Sequence, residues 1–344
     1  GELRENVSSL KKSLVIKLRD IGDNILCTPL IHNLKYHLPE TSISVLTWSY
    51  SQAVFENNPH IDQLFGLTKE NPLKGIKKTL NQINFANFDL VISTHSGSVA
   101  SNLLSKIKTK YRVNNFYQGR NKSYNLITQE SDYYRSAIER DLDCLRSLGL
   151  ESFDIKTKLF LTDSEILAAK HTLIAKGLNH NKKKILVHPT AAVSIREWPL
   201  TKFNQLIIKL NQRKDIQIVV ICTESEYSRV KTLLEDIPDL IIFYQITVRQ
   251  MMAIIHQCDL VIDNDSSPSH IATALGIPTI VLFSQAILEI FRPYDYDNDQ
   301  HFVFYNDVDC RECGLTYCSN RICLDFSVDE VFSKAIEMLP LSNH

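Results

Sequence analysis

The chain has 344 residues, of which 44% are hydrophobic and 22% are charged, and its formal net charge is −1. This length and composition fit two ordinary globular domains and exclude a largely disordered chain. The near-neutral balance argues against a dedicated nucleic-acid binder, which would carry a basic excess. We find no run of about 18 apolar residues and no charged-then-apolar leader, so we expect a cytoplasmic protein without a membrane span.

In the first half of the chain, short apolar strands alternate with helical stretches. The first strand is predicted at 14–18 and leads through R-D-I-G-D to an amphipathic helix at about 24–37. Further strands are predicted at 42–47, 63–67 and 89–93, and a helix at 133–148. This alternation predicts a parallel sheet covered on both faces. Asp23 lies in the turn after the first strand, where an aspartate is also a common helix N-cap.

Two basic segments, 69–78 and 106–122, lie between these elements. Their candidate residues are Lys74, Lys77, Lys108, Arg112 and Arg120. A run of charge is often only a solvated surface. We expect both segments to follow strands, in loops at the same rim of the sheet as Asp23. At that rim they could bind an anionic acceptor.

The same alternation repeats after residue 160. Helices are predicted at 163–176, 201–211, 224–235 and 248–257, and strands at 184–188, 216–222, 240–243, 260–262 and 279–283. We therefore predict an N-terminal domain at 1–160, a C-terminal domain at 161–326, and a final helix within 327–344 that packs back towards the first domain. Two Rossmann-like parallel-sheet domains facing each other across a cleft are typical of the GT-B architecture. The pattern alone also fits periplasmic binding proteins and two-domain dehydrogenases.

The segment 259–283 is the most informative stretch of the second half. It reads as a buried strand, a polar turn with two aspartates and two serines, a short helix opened by Pro268, and a second buried strand. Open α/β sheets bind ligands at the carboxyl ends of their strands. The N–H groups and the dipole at a helix start favour a phosphate or carboxylate there. The segment therefore predicts an anion site. We interpret its Asp263-Asn264-Asp265 string as an accidental likeness to a metal-binding Asp-x-Asp.

Four of the eight cysteines lie within fourteen residues, at Cys310, Cys313, Cys318 and Cys323. Clustered cysteines in a cytosolic chain indicate a metal or reduced thiols more readily than disulfides. Four thiolates could hold a structural zinc or iron ion. The spacing is not that of paired C-x-x-C motifs, so metal, free thiols and disulfides all remain open.

Three ordered segments carry a family resemblance. They read V-I-K-L-R-D-I-G-D-N-I-L-C-T-P from Val15, V-H-P-T-A-A-V-S-I-R-E-W-P from Val187, and D-N-D-S-S-P-S-H-I-A-T-A-L-G-I-P-T from Asp263. They resemble the signatures of the bacterial ADP-heptose:lipopolysaccharide heptosyltransferases, which are family 9 glycosyltransferases. The resemblance implies the GT-B fold and an inverting transfer of heptose from ADP-heptose to the lipopolysaccharide inner core. It implies an anionic acceptor, peripheral contact with the inner face of the inner membrane, and no catalytic metal.

The same resemblance implies roles for individual residues. Asp23 matches the catalytic base, and Arg196 matches a basic residue that contacts the donor phosphates. The remaining donor-binding candidates are Thr190, Asp265, Ser266, Ser267 and His270 from the signatures, and Glu226 near the ribose and Ile246 near the base from topology. Ser267 departs from the glycine that is usual in the family, which leaves a weakened sugar-nucleotide-binding protein as one alternative. A heptosyltransferase with a protein (autotransporter) acceptor is another.

Overall fold

The computed structural model describes residues 2–94, 97–115, 126–128, 135–291 and 299–339. The chain divides into two compact units, Gly1–Phe160 and Leu161–His344. Each unit is built around its own six-stranded sheet. None of the helices in these described ranges is long and apolar enough to cross a membrane.

The first unit contains a sheet of order β3-β2-β1-β4-β5-β6, in which every neighbouring pair is parallel. Its strands are β1 (Lys12–Lys17), β2 (Ser42–Trp48), β3 (Gln63–Leu67), β4 (Leu90–Ser93), β5 (Tyr111–Asn114) and β6 (Leu126–Ile127). Its helices are α1 (Glu2–Glu5), α2 (Ile21–His37), α3 (Ile76–Ala86), α4 (Ser98–Lys106) and α5 (Ala137–Ser147).

The second unit repeats this topology with the order β12-β11-β10-β7-β8-β9, again wholly parallel. Its strands are β7 (Lys183–His188), β8 (Ile216–Ile221), β9 (Ile241–Phe243), β10 (Leu260–Asn264), β11 (Thr279–Leu282) and β12 (His301–Phe304). Its helices are α6 (Asp163–Ala175), α7 (Leu200–Asn211), α8 (Tyr227–Leu234), α9 (Val248–His256), α10 (Ser267–Ala274), α11 (Leu288–Phe291) and α12 (Val328–Met338). In both units the first strand therefore lies between the second and the fourth. The prediction of two parallel-sheet α/β domains is confirmed.

Helix α2 differs from its prediction in two ways. It begins at Ile21, three residues earlier than expected, so Asp23 lies in its first turn and the N-cap position belongs to Asp20. The side chain of Asp20 does not cap the helix and binds Tyr50 and Lys69 instead. Most of α2 is buried, because it packs on β1 and on α5. It is a core helix, and the amphipathic pattern predicted for it was wrong.

In the second basic segment, the positions predicted for Lys108 and Arg112 were wrong. Helix α4 ends at Lys106 and β5 begins at Tyr111, so Lys108 lies in a helix-to-strand connection. In a parallel sheet such a connection meets the amino ends of the strands, whereas Asp23 follows a carboxyl end. Arg112 lies within β5 and donates to the carbonyl of Ile107 at 2.5 Å. Neither residue is at the rim where Asp23 lies.

The last helix, α12, belongs to the core of the second unit. It packs on α7, and its Val331 and Ala335 are fully buried in the cluster around Trp198. Ser327 caps it with a capping box that includes Glu330, which fixes where it begins. Packing of this helix against the first domain stays a prediction.

Candidate functional site

Asp23 lies in the first turn of α2, directly after the connection from β1. The amide of Asn24, which is fully buried, donates to the carbonyls of Arg19 (2.8 Å) and Asp20 (2.9 Å) and so fixes this turn. Arg19 Nε donates to Asp23 Oδ2 at 3.0 Å. The Asp23 side chain is 21% exposed, so its carboxylate is accessible from solvent while its backbone is fixed by the helix. Such a group can accept a proton from a bound hydroxyl.

A buried ion pair lies close enough to Asp23 for the Asp23 charge to act on both of its members. Lys17 Nζ, at the end of β1, donates to both oxygens of Asp141 on α5 at 3.0 Å, and the two side chains are 9% and 3% exposed. Burial disfavours the Lys17 charge, but the attraction of Asp141, Cys27 and Asp23 and the hydrogen bond to Asp141 together outweigh it and raise the pKa of Lys17. Burial also raises the pKa of Asp141 to about 6, against the attraction of Lys17. Both groups are therefore charged at neutral pH, which the sequence did not reveal.

Of the acceptor candidates, Lys74 and Lys77 lie between β3 and the first turn of α3, and both are exposed. A strand-to-helix connection lies at the carboxyl rim of a parallel sheet, as was predicted for these two. Lys108 and Arg112 lie elsewhere, as described above. Arg120 falls outside the described residues.

In the second unit, the side chain of Asn264, at the end of β10, holds the loop after β7 by hydrogen bonds. The Asn264 side chain accepts from the Trp198 backbone N–H at 2.9 Å and donates to the Thr190 carbonyl at 3.2 Å. Trp198 is fully buried and packs edge-on against Phe203. Glu197 is buried as well, accepts from the Ala191 N–H at 3.0 Å, and is paired with Arg229. The second and third signature segments therefore form one connected structure.

Arg196 lies in the short helical turn of this loop, Ser194–Arg196. It is exposed, and its guanidinium has no hydrogen-bond or ion-pair partner among the residues that the structure describes. Its neighbours in the sequence are buried and fixed. The Arg196 guanidinium is therefore exposed to solvent while the backbone on either side of it is fixed.

A polar network connects the ends of β7 and β10. His188 and Asp263 are paired across the two strands, and His188 Nδ1 lies 2.7 Å from Asp263 Oδ1 and 3.1 Å from Ser266 Oγ. His188 Nε2 lies 3.3 Å from Thr190 Oγ1. Asp263 is fully buried and also accepts from the Ser269 N–H at 2.9 Å. Sequence reasoning assigned no role to His188 and placed Asp263 in the turn. The sequence did contain a signal for them, because each is a polar residue at or near the end of an otherwise apolar strand.

The helix that follows, α10, begins at Ser267 with Ser266 at its N-cap and Pro268 in its first turn. Ser266 and Ser267 are half-buried, while Asp265 and His270 are buried. Ser267 is not among the described residues with a positive φ. A serine is therefore accommodated there without the strain that a left-handed backbone would impose.

Glu226 lies beyond the carboxyl end of β8. Its Oε2 atom is buried and has no hydrogen-bond partner within the described ranges, although Arg229 approaches it to 3.7 Å. Burial favours the neutral form of Glu226, but the neighbouring hydroxyl groups of Thr190 and Thr223 outweigh it, so its pKa lies below the usual range. An ionised, buried oxygen of this kind is suited to accept hydrogen bonds from a hydroxylated ligand.

Ile246 lies in the connection between β9 and α9, beside a cavity of about 400 Å³. The cavity runs between α6 and α9 along the edge strand β9. Arg249 crosses it and donates to Glu165 at 2.8 and 2.6 Å, which lowers the pKa of Glu165 to about 2. A cavity lined by apolar side chains together with polar groups is typical of a small-molecule site.

The four clustered cysteines lie in an irregular segment beside this sheet. Cys310 and Cys313 are exposed, Cys318 is intermediate and Cys323 is buried. No group of three or more His, Cys, Asp or Glu side chains in the described ranges, which include all four thiols, is arranged to hold a metal ion. A structural zinc or iron ion at these thiols stays a prediction.

The cysteine segment nevertheless contacts the Arg196 loop. Arg321, within the segment, donates to the carbonyls of Glu197 (2.8 Å) and Ser194 (3.3 Å). The backbone N–H groups of Arg321 and Asn320 donate towards Cys318 and lower the pKa of its thiol. The segment therefore braces the loop that carries Arg196.

Comparisons with known proteins agree with this geometry. Residues 76–320 match the model of glycosyltransferase family 9 (heptosyltransferase). The lipopolysaccharide heptosyltransferase 3 of Escherichia coli K12 is 25% identical over 292 residues, which cover 80% of this chain and 83% of that protein.

Two solved structures share the fold. A family 9 glycosyltransferase from Veillonella parvula has a TM-score of 0.85 at 21% identity, over 95% of this chain and 97% of that one. The E. coli ADP-heptose lipopolysaccharide heptosyltransferase II has a TM-score of 0.78 at 15% identity, over 95% and 98%. The GT-B fold class is thereby confirmed. Since the family model spans most of the chain, the protein is a glycosyltransferase that belongs to family 9, the heptosyltransferases.

Proposed function

We propose that this protein transfers heptose from ADP-heptose to the inner core of lipopolysaccharide, with inversion at the anomeric carbon. The observation that carries the proposal is the pair of polar sites at strand ends, an accessible Asp23 in one unit and the connected loop-and-helix structure of Thr190, Arg196 and Ser266 in the other. The names of the relatives support the donor and the acceptor class.

The donor diphosphate is assigned to the start of α10 and the Arg196 loop. N–H groups at the start of a helix and the hydroxyls of Thr190, Ser266 and Ser267 are donors, and donors of this kind bind phosphate oxygens. The unengaged guanidinium of Arg196 is suited to forked contact with phosphate and would offset the charge of the departing ADP. Asp265 and His270, buried in the same unit, are assigned to the donor sugar and phosphate. Because these groups supply the positive charge, the mechanism is proposed without a catalytic metal.

The rest of the donor is assigned to two neighbouring strand ends. The open Oε2 of Glu226 is a fitting acceptor for ribose hydroxyls. The cavity at Ile246 is roomy and apolar enough for a base, at about 400 Å³.

Asp23 is assigned the role of general base. As the acceptor oxygen forms its bond to the anomeric carbon, the bond from that carbon to the diphosphate breaks, and ADP leaves with the electron pair. The hydroxyl proton passes to Asp23. A carboxylate is a weak base towards a ground-state alcohol, but it is strong enough once charge develops on the oxygen in the transition state. Attack opposite the leaving group gives inversion.

The acceptor is proposed to be anionic, and Lys74 and Lys77 are its candidate contacts in the first unit. The exposed Leu73 and Phe85 flank these lysines, with 73% and 94% of their surfaces accessible. Basic and apolar groups together suit a peripheral contact with an anionic membrane surface. The cytoplasmic face of the inner membrane is the proposed place of action.

A product assay tests this function. The protein is incubated with ADP-heptose and heptose-deficient lipopolysaccharide core, and mass spectrometry follows the gain of one heptose, while NMR of the product reports the anomeric configuration. Parallel reactions use an autotransporter protein as acceptor and UDP- or GDP-sugars as donors. We expect transfer only from ADP-heptose to the core, with inversion. Transfer to the protein acceptor alone, a retained configuration, or donor binding without any turnover would each overturn the proposal.

A further inference from the structure

The side chain of His188 is engaged at both ring nitrogens. Nδ1 lies 2.7 Å from Asp263 Oδ1 and 3.1 Å from Ser266 Oγ, and Nε2 lies 3.3 Å from Thr190 Oγ1. Its ring is 12% exposed. The ring therefore bridges two hydroxyl groups that come from different segments, the loop after β7 and the N-cap of α10.

Three carboxylates from three different segments act on this ring. Asp263 on β10 is in direct contact, and Glu226 after β8 and Glu197 before α7 are close, while Arg229 on α8 is bound to Glu197 at 3.0 and 2.7 Å. Burial disfavours the charged ring, but the attraction of Asp263 and the hydrogen bond to it outweigh this, so the pKa of His188 is raised above its ordinary value. The ring therefore keeps its proton to a higher pH than an ordinary histidine does.

Protonation decides what Thr190 can do. A neutral ring with its proton on Nδ1 leaves Nε2 as an acceptor, and the Thr190 hydroxyl must donate to it. A protonated ring donates from Nε2, so the Thr190 hydroxyl keeps its own proton for another acceptor, such as the Glu226 carboxylate beside it. The positive ring also offsets the fully buried carboxylate of Asp263, which would otherwise repel an incoming anion.

The Ser266 hydroxyl itself donates to Asp263 Oδ1 at 2.7 Å, so protonation of the ring acts on Thr190 and on the charge of Asp263. We propose that His188 is a positioning residue of the donor site, whose imidazolium leaves the Thr190 hydroxyl its proton and offsets the Asp263 carboxylate beside a bound nucleoside diphosphate. Donor affinity then falls as His188 loses its proton. This inference rests on the proposed assignment of the donor phosphates to the start of α10.

The test is calorimetric titration with ADP from pH 7.5 to 9.5, a range in which the phosphates of ADP are already ionised. For one linked proton, the dissociation constant rises by up to about tenfold per pH unit above the pKa of His188. His188→Gln should bind ADP several-fold more weakly at pH 7.5, with a nearly flat profile. His256→Gln, at an exposed histidine at the end of α9, makes the same chemical change away from this network and should keep the wild-type profile.

A second variant keeps the test decisive if His188→Gln does not fold. Asp263→Asn removes the charge that holds the ring protonated, so the fall in ADP affinity should move to lower pH. A wild-type affinity that is constant over the whole range, or an unchanged profile in both network variants, would overturn the inference while leaving the proposed function intact. Failure of the wild type to bind ADP at any pH would overturn the proposed function, and this inference with it.

Discussion

The two units place a basic side chain at the same point of the same topology and use it differently. In each unit the last residue of the first strand is basic, Lys17 in the first unit and His188 in the second. Both are largely buried, and both are paired with an aspartate at 2.7–3.0 Å.

The partners differ. Lys17 is matched by both oxygens of Asp141 from α5, and the nearby Cys27 thiol is part of the same buried group. His188 is matched by Asp263 from the neighbouring strand, and its remaining contacts are hydroxyl groups at the site assigned to the donor. The same topological position therefore supports packing in one unit and, under the proposed assignment of the donor, ligand binding in the other. A fold repeated twice does not repeat its function.

The largest effect on stability is expected at Asp141. Asp141→Asn leaves the Lys17 ammonium buried without a counter-charge, and such a change costs about 3–5 kcal/mol of unfolding free energy. Urea unfolding measures it. Asp143→Asn, two residues along the same helix, removes one carboxylate of the partly exposed cluster with Arg135 and Arg146 and should cost about 1 kcal/mol or less. Equal losses of unfolding free energy in the two variants would show that the buried ion pair contributes no more to stability than the partly exposed cluster.

The largest effect on donor affinity is expected at Arg196. Loss of a charged donor to phosphate costs about 1.5–3 kcal/mol, so Arg196→Ala should weaken ADP binding by roughly 10- to 100-fold in calorimetry. Arg213→Ala provides the matched control, since Arg213 is an exposed arginine of the same unit that pairs only with its neighbour Asp215 among the described residues. Unchanged ADP affinity in Arg196→Ala would remove this residue from the donor site.

The smallest effect concerns the cysteines of the two regions. At pH 7, Cys318 should react first with a thiol reagent, because its half-exposed thiol has a lowered pKa. Burial raises the pKa of the Cys27 thiol, which lies beside Lys17. Burial also raises the pKa of Cys258, to about 12, so both thiols should react only after unfolding. Peptide mapping follows the order of labelling.

The same labelling experiment separates the states that remain open for the cysteine cluster. A bound metal would delay labelling of Cys318 until a chelator is added, and a disulfide would delay it until a reductant is added. Reaction of Cys27 in the folded protein as fast as Cys318 would contradict the contrast between the two regions.

Much of the fold was accessible from the sequence because its signals are local. The apolar run Q-L-F-G-L was predicted as a strand over 63–67, and the structure has β3 there. The alternation of strands and helices was sufficient to predict two parallel sheets. Where a short helix such as α4 was not recognised, the next segment was assigned to the wrong end of the sheet, as happened to Lys108.

The site was less accessible because its decisive contacts are not local. His188 and Asp263 are 75 residues apart, and they meet only because β7 pairs with β10 in that register. The ion pair of Lys17 and Asp141 spans 124 residues. Nothing in the sequence around any of these four residues indicates its partner. The signature segments around Asp23 and Arg196, by contrast, are recognisable by themselves.

The central claim is that Asp23 acts on the acceptor while the second unit holds the donor. The most direct test measures two quantities on Asp23→Asn, the rate of heptose transfer from ADP-heptose and the affinity for ADP. The account predicts that transfer falls by about 10²- to 10⁴-fold, the usual contribution of a general base, while ADP affinity is unchanged. Transfer at the wild-type rate would contradict the role of Asp23, and a parallel loss of ADP affinity would contradict the division of work between the two units.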